Sequence, residues 1–292
     1  RSSAMDYLST LNGFSLKYVS SAINNVDHNS FLCAPCKNYR VEESCLSEPV
    51  KIVEKKVAPK NALMLYGLPD VGLVGLIATS HIISQLKMDE ISYVDSELLP
   101  PIVVLHDGLP YAPLRIFANS NLIITFSEAA IPAKAVPPIM RKLVEWGQAK
   151  NVKLMVSMGG MPVQDRQDLT EVKVYGAASN PSLLKTLSEK GIEIMRGGFM
   201  VGPYALLMRY CADRNIPAIA LLAQSFYNYP DPEAAAATLK EFSKITGINI
   251  DVSHLRESGE EIRLRARDVM KRTEQELNRM KKTQEYDLPL YV

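Results

Sequence analysis

From about residue 137 to about residue 250 the chain alternates between helical spacing of apolar residues and short, unbroken apolar runs. That alternation restricts the fold more than any other feature of the sequence. Pro138 to Lys150 reads as a helix, and Val152 to Ser157 as a buried strand ending in the loop glycines Gly159 and Gly160. Pro181 to Lys190 and Tyr204 to Arg214 read as further helices, and Ala218 to Leu222 as a second buried strand. Asp231, Pro232 and Glu233 then combine a preferred cap, a first-turn proline and an acidic first turn, which predicts a helix start. Elements in this order imply an α/β layered domain.

The same class of structure extends toward the N-terminus. Ala62 to Tyr66 is a short apolar run with strand character, followed by a turn through Gly67, Pro69, Asp70 and Gly72. Val74, Ile77, Ala78 and Ile82 then fall at helical spacing, with Asp70 as a plausible cap. Ile102 to Leu105, Leu114 to Phe117 and Leu122 to Phe126 are separated by Asp107-Gly108 and by Asn119 to Asn121, and read as an antiparallel meander. Residues 50–253 therefore read as one α/β domain. Lys51, Lys55, Lys56 and Lys60 read as a basic connector leading into it.

Residues 1–49 differ in kind. They are rich in Ser and Asn, and Arg1 to Ala4 ahead of Met5 read as a cloning scar. His28, Cys33, Cys36 and Cys45 are four potential zinc ligands, but the spacing after Cys36 matches no common zinc module, and reduced thiols are the simpler reading. The segment is expected to be an N-terminal extension with no role legible in its residues.

Residues 254–292 form the third part. Ile262, Ala266, Val269, Thr273, Leu277 and Met280 make a narrow apolar stripe on a helix otherwise dense in Arg, Lys and Glu. The stripe is too weak for a free-standing coiled coil, so the helix is expected to pack on the domain or on a sister subunit. Pro289 separates this helix from Leu290, Tyr291 and Val292. An apolar side chain, a phenol and a terminal carboxylate make a compact key. The Leu fills a pocket, the Tyr stacks and donates one hydrogen bond, and the carboxylate is captured by a lysine or by backbone amides. The plain alternative is a frayed end.

The totals exclude several classes. A net charge of +1 gives no global attraction to nucleic acid or anionic membrane. The most lipid-like stretch, 62–83, is broken by Pro69, Asp70 and three glycines, so no membrane span is expected. Four cysteines do not make a disulfide scaffold, no secretory signal is legible, and a reducing cytoplasm is the expected compartment.

Catalytic motifs are scarce. Gly67, Gly72 and Gly75 stand where a phosphate-binding loop would lie, but the Lys-Ser/Thr of a P-loop is missing and the spacing is not that of a dinucleotide fingerprint. Tight turns and close helix-on-sheet packing account for the glycines equally well. Cys211 reads as a small buried hydrophobe, His81 as a partly buried helix residue, and His106 as structural or solvated. Glu128 and Asp165 sit in loops after strands without an identifiable partner. No catalytic residue and no cofactor is expected. The alternative is a small-molecule hydrolase or phosphorylase built on the loop from Gly67 to Gly75 and on the Gly159-Gly160 loop.

One family matches several spaced blocks in order. The run from Gly67 to Gly75, the Asp107-Gly108 turn, Met158 to Pro162, and the stretch from Gly198 to Asp251 resemble the proteasome assembly chaperone family, homologues of the second eukaryotic chaperone of that kind. The resemblance covers residues 50–250, and it departs at Asp70, where the family often has glycine. It implies a phosphorylase/hydrolase-like α/β/α fold used without known catalysis, homo-oligomerisation, and binding to α-subunits of the proteasome core particle. Archaeal members carry a C-terminal hydrophobic-Tyr-any residue motif that inserts between adjacent α-subunits, its carboxylate pairing with a lysine. Leu290, Tyr291 and Val292 match that motif position for position. No Walker A motif is present, so any activation would be independent of ATP.

Overall fold

The computed structural model describes residues 49–282. His28, Cys33, Cys36 and Cys45, and the terminal Leu290, Tyr291 and Val292, lie outside the described residues. In chain order the strands and helices are β1 (Lys51–Glu54), β2 (Leu63–Gly67), α1 (Val74–Gln85), β3 (Asp89–Asp95), β4 (Val104–His106), β5 (Leu109–Tyr111), β6 (Leu114–Ala118) and β7 (Leu122–Ser127). There follow α2 (Val136–Ala149), β8 (Leu154–Pro162), β9 (Val174–Ala178), α3 (Pro181–Glu189), β10 (Glu193–Ile194), α4 (Pro203–Asp213), β11 (Ala218–Ser225), α5 (Pro232–Thr246), α6 (Ser253–Glu257) and α7 (Gly259–Lys282).

Nine strands make one sheet in the order β1-β3-β6-β7-β2-β8-β11-β9-β10. The centre, β7-β2-β8-β11, is parallel, while β6, β3 and β1 add antiparallel strands on one side and β9 runs antiparallel to β11 on the other. Alternate residues of the buried central strand β2 face opposite layers, as the period of two requires. Met64 and Tyr66 join Ile139, Leu143, Leu207 and Cys211 in the layer of α2 and α4. Leu65 joins Val74, Ile77, Leu239 and Phe242 in the layer of α1 and α5. The result is the expected α/β/α sandwich.

Three expectations change. The segment 102–126 does not form a single meander: β4 and β5 pair only with each other, and the β6–β7 hairpin joins the main sheet. The presumed basic connector contains β1, an edge strand whose exposed Lys51 and Glu54 mask its period of two. Gly159 and Gly160 lie inside β8 rather than in a loop after it. A Cβ at Gly160 would stand 2.2 Å from the Val71 carbonyl oxygen, so the strand needs glycine there to let the turn after β2 come close.

Helix α7 packs on the domain through its stripe. Ala266, Met270, Thr273 and Leu277 are buried, and Ile262 and Val269 are partly buried against the same core as α1 and α5. The Ala133 amide donates to Glu276, and the Tyr227 hydroxyl donates to Asn278 at 2.7 Å. Val269→Asp combined with Leu277→Asp should undock this helix, because two charges would be buried without partners. The expected result is faster amide exchange throughout α7 and rapid tryptic cleavage near Arg263 to Lys271, with the sheet still protected. Wild-type exchange in the double variant would show that the stripe carries no packing energy.

Candidate functional site

In open α/β sheets, ligands bind beyond the carboxyl ends of the strands where neighbouring connections leave on opposite faces. Here that point falls between β2 and β7, because α1 covers one face and α2 the other. The crevice there is bounded by Pro69 after β2, Ala130 and Ile131 after β7, and Val136 and Pro203 at two helix starts. Thr273, Glu276, Leu277 and Met280 of α7 fill it, leaving a space of about 10 Å³. That is at the threshold for one water molecule.

The glycine turn beside the crevice is equally full. A Cβ at Gly67 would fall 1.7 Å from Thr79 Oγ1, one at Gly72 would fall 1.9 Å from Ser225 Oγ, and one at Gly75 would fall 2.4 Å from the Met158 carbonyl oxygen. Gly72 also has a φ of 64°, and its carbonyl accepts from the Asp231 amide at 2.8 Å. Close packing of protein atoms therefore accounts for these three glycines.

Asp70 stands three residues before Leu73, the N-cap of α1, yet its side chain reaches the first turn of that helix and more besides. It is buried, and its carboxylate accepts from Gly160 N at 2.8 Å and from Gly75 N at 3.4 Å. It therefore ties the turn to β8, ninety residues away. Burial pushes its pKa well above 3.8, and the two amide donors offset this only in part. A carboxyl with a raised native pKa contributes most stability below its unfolded value and loses that contribution as pH climbs toward the folded value. Asp70→Ala should destabilise the protein by about 1–3 kcal/mol by orphaning amides. The deficit should shrink as pH is raised from about 4 toward neutrality, and thermal melts across that range would show it. A deficit that grows with pH would mean the carboxylate is held ionised.

Arg166, buried after β8, donates through Nε to Asp231 Oδ2 at 2.8 Å and through Nη2 to Glu233 at 2.8 Å, and lies over the Phe226 ring. Asp231 meanwhile caps α5 by accepting from Ala234 N at 3.0 Å. This is a satisfied cross-link between the β8–β9 connection and the α5 start, and sequence inspection had assigned only the cap. Cys211 is buried beside Met155 Sδ at 3.5 Å, and burial pushes its thiol up to about 12, as an inert core thiol requires. Glu128 does have partners: Arg115 donates to it, and His106 Nε2 lies 3.3 Å away. His81 Nε2 lies 2.5 Å from the Asp251 carbonyl oxygen.

A wider groove, about 920 Å³, opens elsewhere, between α1, the β4–β5 hairpin and the start of α7. Leu76, Phe126, Ile262 and Val269 line its depth, and Ser80, Ser84 and Arg265 line its rim with other polar groups. Among the described residues no group of three or more His, Cys, Asp or Glu side chains is placed to hold a metal ion. Among the same residues no helix is long and apolar enough to cross a membrane.

The architecture is thus that of an α/β/α domain whose customary ligand crevice is closed by its own C-terminal helix. The PAC2 family profile matches residues 64–270, and the chain belongs to the PAC2 family. Pyrococcus furiosus PbaA, described as an archaeal homolog of proteasome-assembly chaperone, is 30% identical and superposes with a TM-score of 0.73 over 78% of this chain and 99% of its own. An uncharacterized protein of Methanocaldococcus jannaschii is also 30% identical, over 84% of this chain and 99% of its own. Pyrococcus furiosus PbaB, described as an archaeal proteasome activator, shares the fold at 24% identity, with a TM-score of 0.65 over 76% of this chain and 99% of its own.

Proposed function

We propose that this protein is a non-enzymatic, homo-oligomeric binding partner of the proteasome core particle, acting in the cytoplasm as an assembly chaperone or an ATP-independent activator. Residues 50–253 form the body, and residues 254–292 form an arm that delivers Leu290, Tyr291 and Val292 to pockets between α-subunits. The relation to PbaA along nearly that protein's whole length is the observation that carries the reading. The lined crevice supports it further, since α7 packs where a substrate would enter and the glycines of the turn serve close packing against Thr79, Ser225 and β8. The hydrolase or phosphorylase alternative needs that crevice open.

Deleting Leu290 to Val292 tests the proposal. The shortened protein should fold and self-associate as before, yet fail to retain purified core particles in a pull-down. Equal retention by both proteins would remove the tail from the account. Calorimetry with ATP, a nucleoside and inorganic phosphate should give no heat of binding; micromolar binding of any of these would favour the enzyme reading.

A further inference from the structure

The β4–β5 hairpin stands apart from the main sheet, and a two-stranded hairpin alone in water is marginally stable at best. This one is anchored on one face. Arg115 lies 5.3 Å from the centre of the Tyr111 ring and donates to His106 Nε2 at 3.1 Å, and the His106 and Tyr111 rings meet edge to face at 5.5 Å. Arg115 is itself held by Glu128 and Glu90. The tip is a tight turn with positive φ at Asp107 (51°) and Gly108 (78°), the geometry that matches the twist of paired strands. The hairpin is therefore pre-organised.

Its other face is bare and apolar. Leu105 pairs with Pro110, and partners across a ladder share a face, on the side opposite His106 and Tyr111. Leu105 is 66% exposed and the adjoining Val103, two positions earlier on the same face, is 64% exposed. A rigid projection with a bare apolar face is not what an isolated monomer presents. The same chain carries a matching recess. The groove of about 920 Å³ has an apolar depth, and its rim carries Arg265, which is exposed and pairs with the exposed Glu261 one turn earlier. The hairpin tip carries Asp107.

We propose that the outward face of the β4–β5 hairpin seats in the groove of a second copy of this chain, with Asp107 of one copy set against Arg265 of the next. The inference rests on the reading that the protein self-associates, and adds the surfaces that do it. A chain's own groove is walled by the inward side of its hairpin, at Val104 and His106, so the outward side is directed to another copy. The contact joins two different patches. Repetition of such a contact builds a ring when the rotation closes and a filament when it does not.

Sedimentation velocity of the full chain at several concentrations tests this. Wild type should sediment as an oligomer, and Leu105→Asp should weaken association at least tenfold with an unchanged melt, since that side chain is solvent-facing. Asp107→Arg and Arg265→Asp should each weaken association several-fold, and the two together in one chain should restore it. A single-chain mass for wild type would overturn the self-association on which the inference rests. Oligomeric wild type with an unaffected leucine variant would overturn the hairpin alone. Loss in Asp107→Arg or in the leucine variant without loss in Arg265→Asp, or without rescue in the double reversal, would mean the hairpin seats elsewhere and would overturn the groove.

Discussion

Gly72→Val should strongly destabilise the fold, with an expected loss of about 2–5 kcal/mol, a large fraction of a typical domain's stability. Two separate terms contribute. A β-branched residue at a φ of 64° is strained by about 1–2 kcal/mol, because its Cβ approaches the following carbonyl. The added side chain would also overlap Ser225 Oγ, which lies 1.9 Å from the first added carbon, and overpacking of this kind costs about 1–3 kcal/mol. Ser225 ends β11, is buried, and its carbonyl accepts from the Val163 amide, so it cannot retreat without disturbing the end of β8. Chemical denaturation of the purified variant, or its failure to accumulate in soluble form, would report the effect. A Gly72→Val protein with wild-type stability would show that the turn is open, and a ligand-binding role for it would return.

Much of this architecture was legible in the residues because the signals are local. Asp231, Pro232 and Glu233 announce α5 within three positions, and the stripe from Ile262 to Met280 announces a docked face on α7 at its own spacing. Edge elements were less legible. In β1 and β3 the exposed Lys51, Glu54 and Asp89 and the half-buried Glu90 interrupt the apolar pattern, and only pairing between the strands reveals the ladder. Gly159 and Gly160 read as a loop because glycine usually punctuates strands, whereas here the Val71 carbonyl beside Gly160, and Asp70 and Tyr204 beside Gly159, demand it. The tie from Asp70 to β8 and the ion pairs of Arg166 are illegible for the same reason. Their partners are remote in sequence, and spacing carries no trace of them. The groove and the hairpin's bare face are likewise products of tertiary placement.

The terminal tripeptide depends on sequence alone, and its expected effect is large. Tyr291→Ala removes the phenol, and one residue appended after Val292 moves the carboxylate away from its cation. Each change should remove about 1.5–3 kcal/mol per tail, the range for a charge-assisted contact, or roughly 10- to 150-fold in affinity for one tail. If the protein is the multivalent partner proposed above, several tails would bind with avidity, and losses would compound across the tails engaged together.

The most direct measurement is equilibrium binding of purified core particles to the intact oligomer, in parallel for wild type, Tyr291→Ala and the chain extended by one residue. Sedimentation of each protein verifies that the oligomer is unchanged. The account predicts tight binding by wild type and at least tenfold weaker binding by both variants at equal oligomeric mass. Binding of all three with the same affinity, or no binding by wild type, would contradict it.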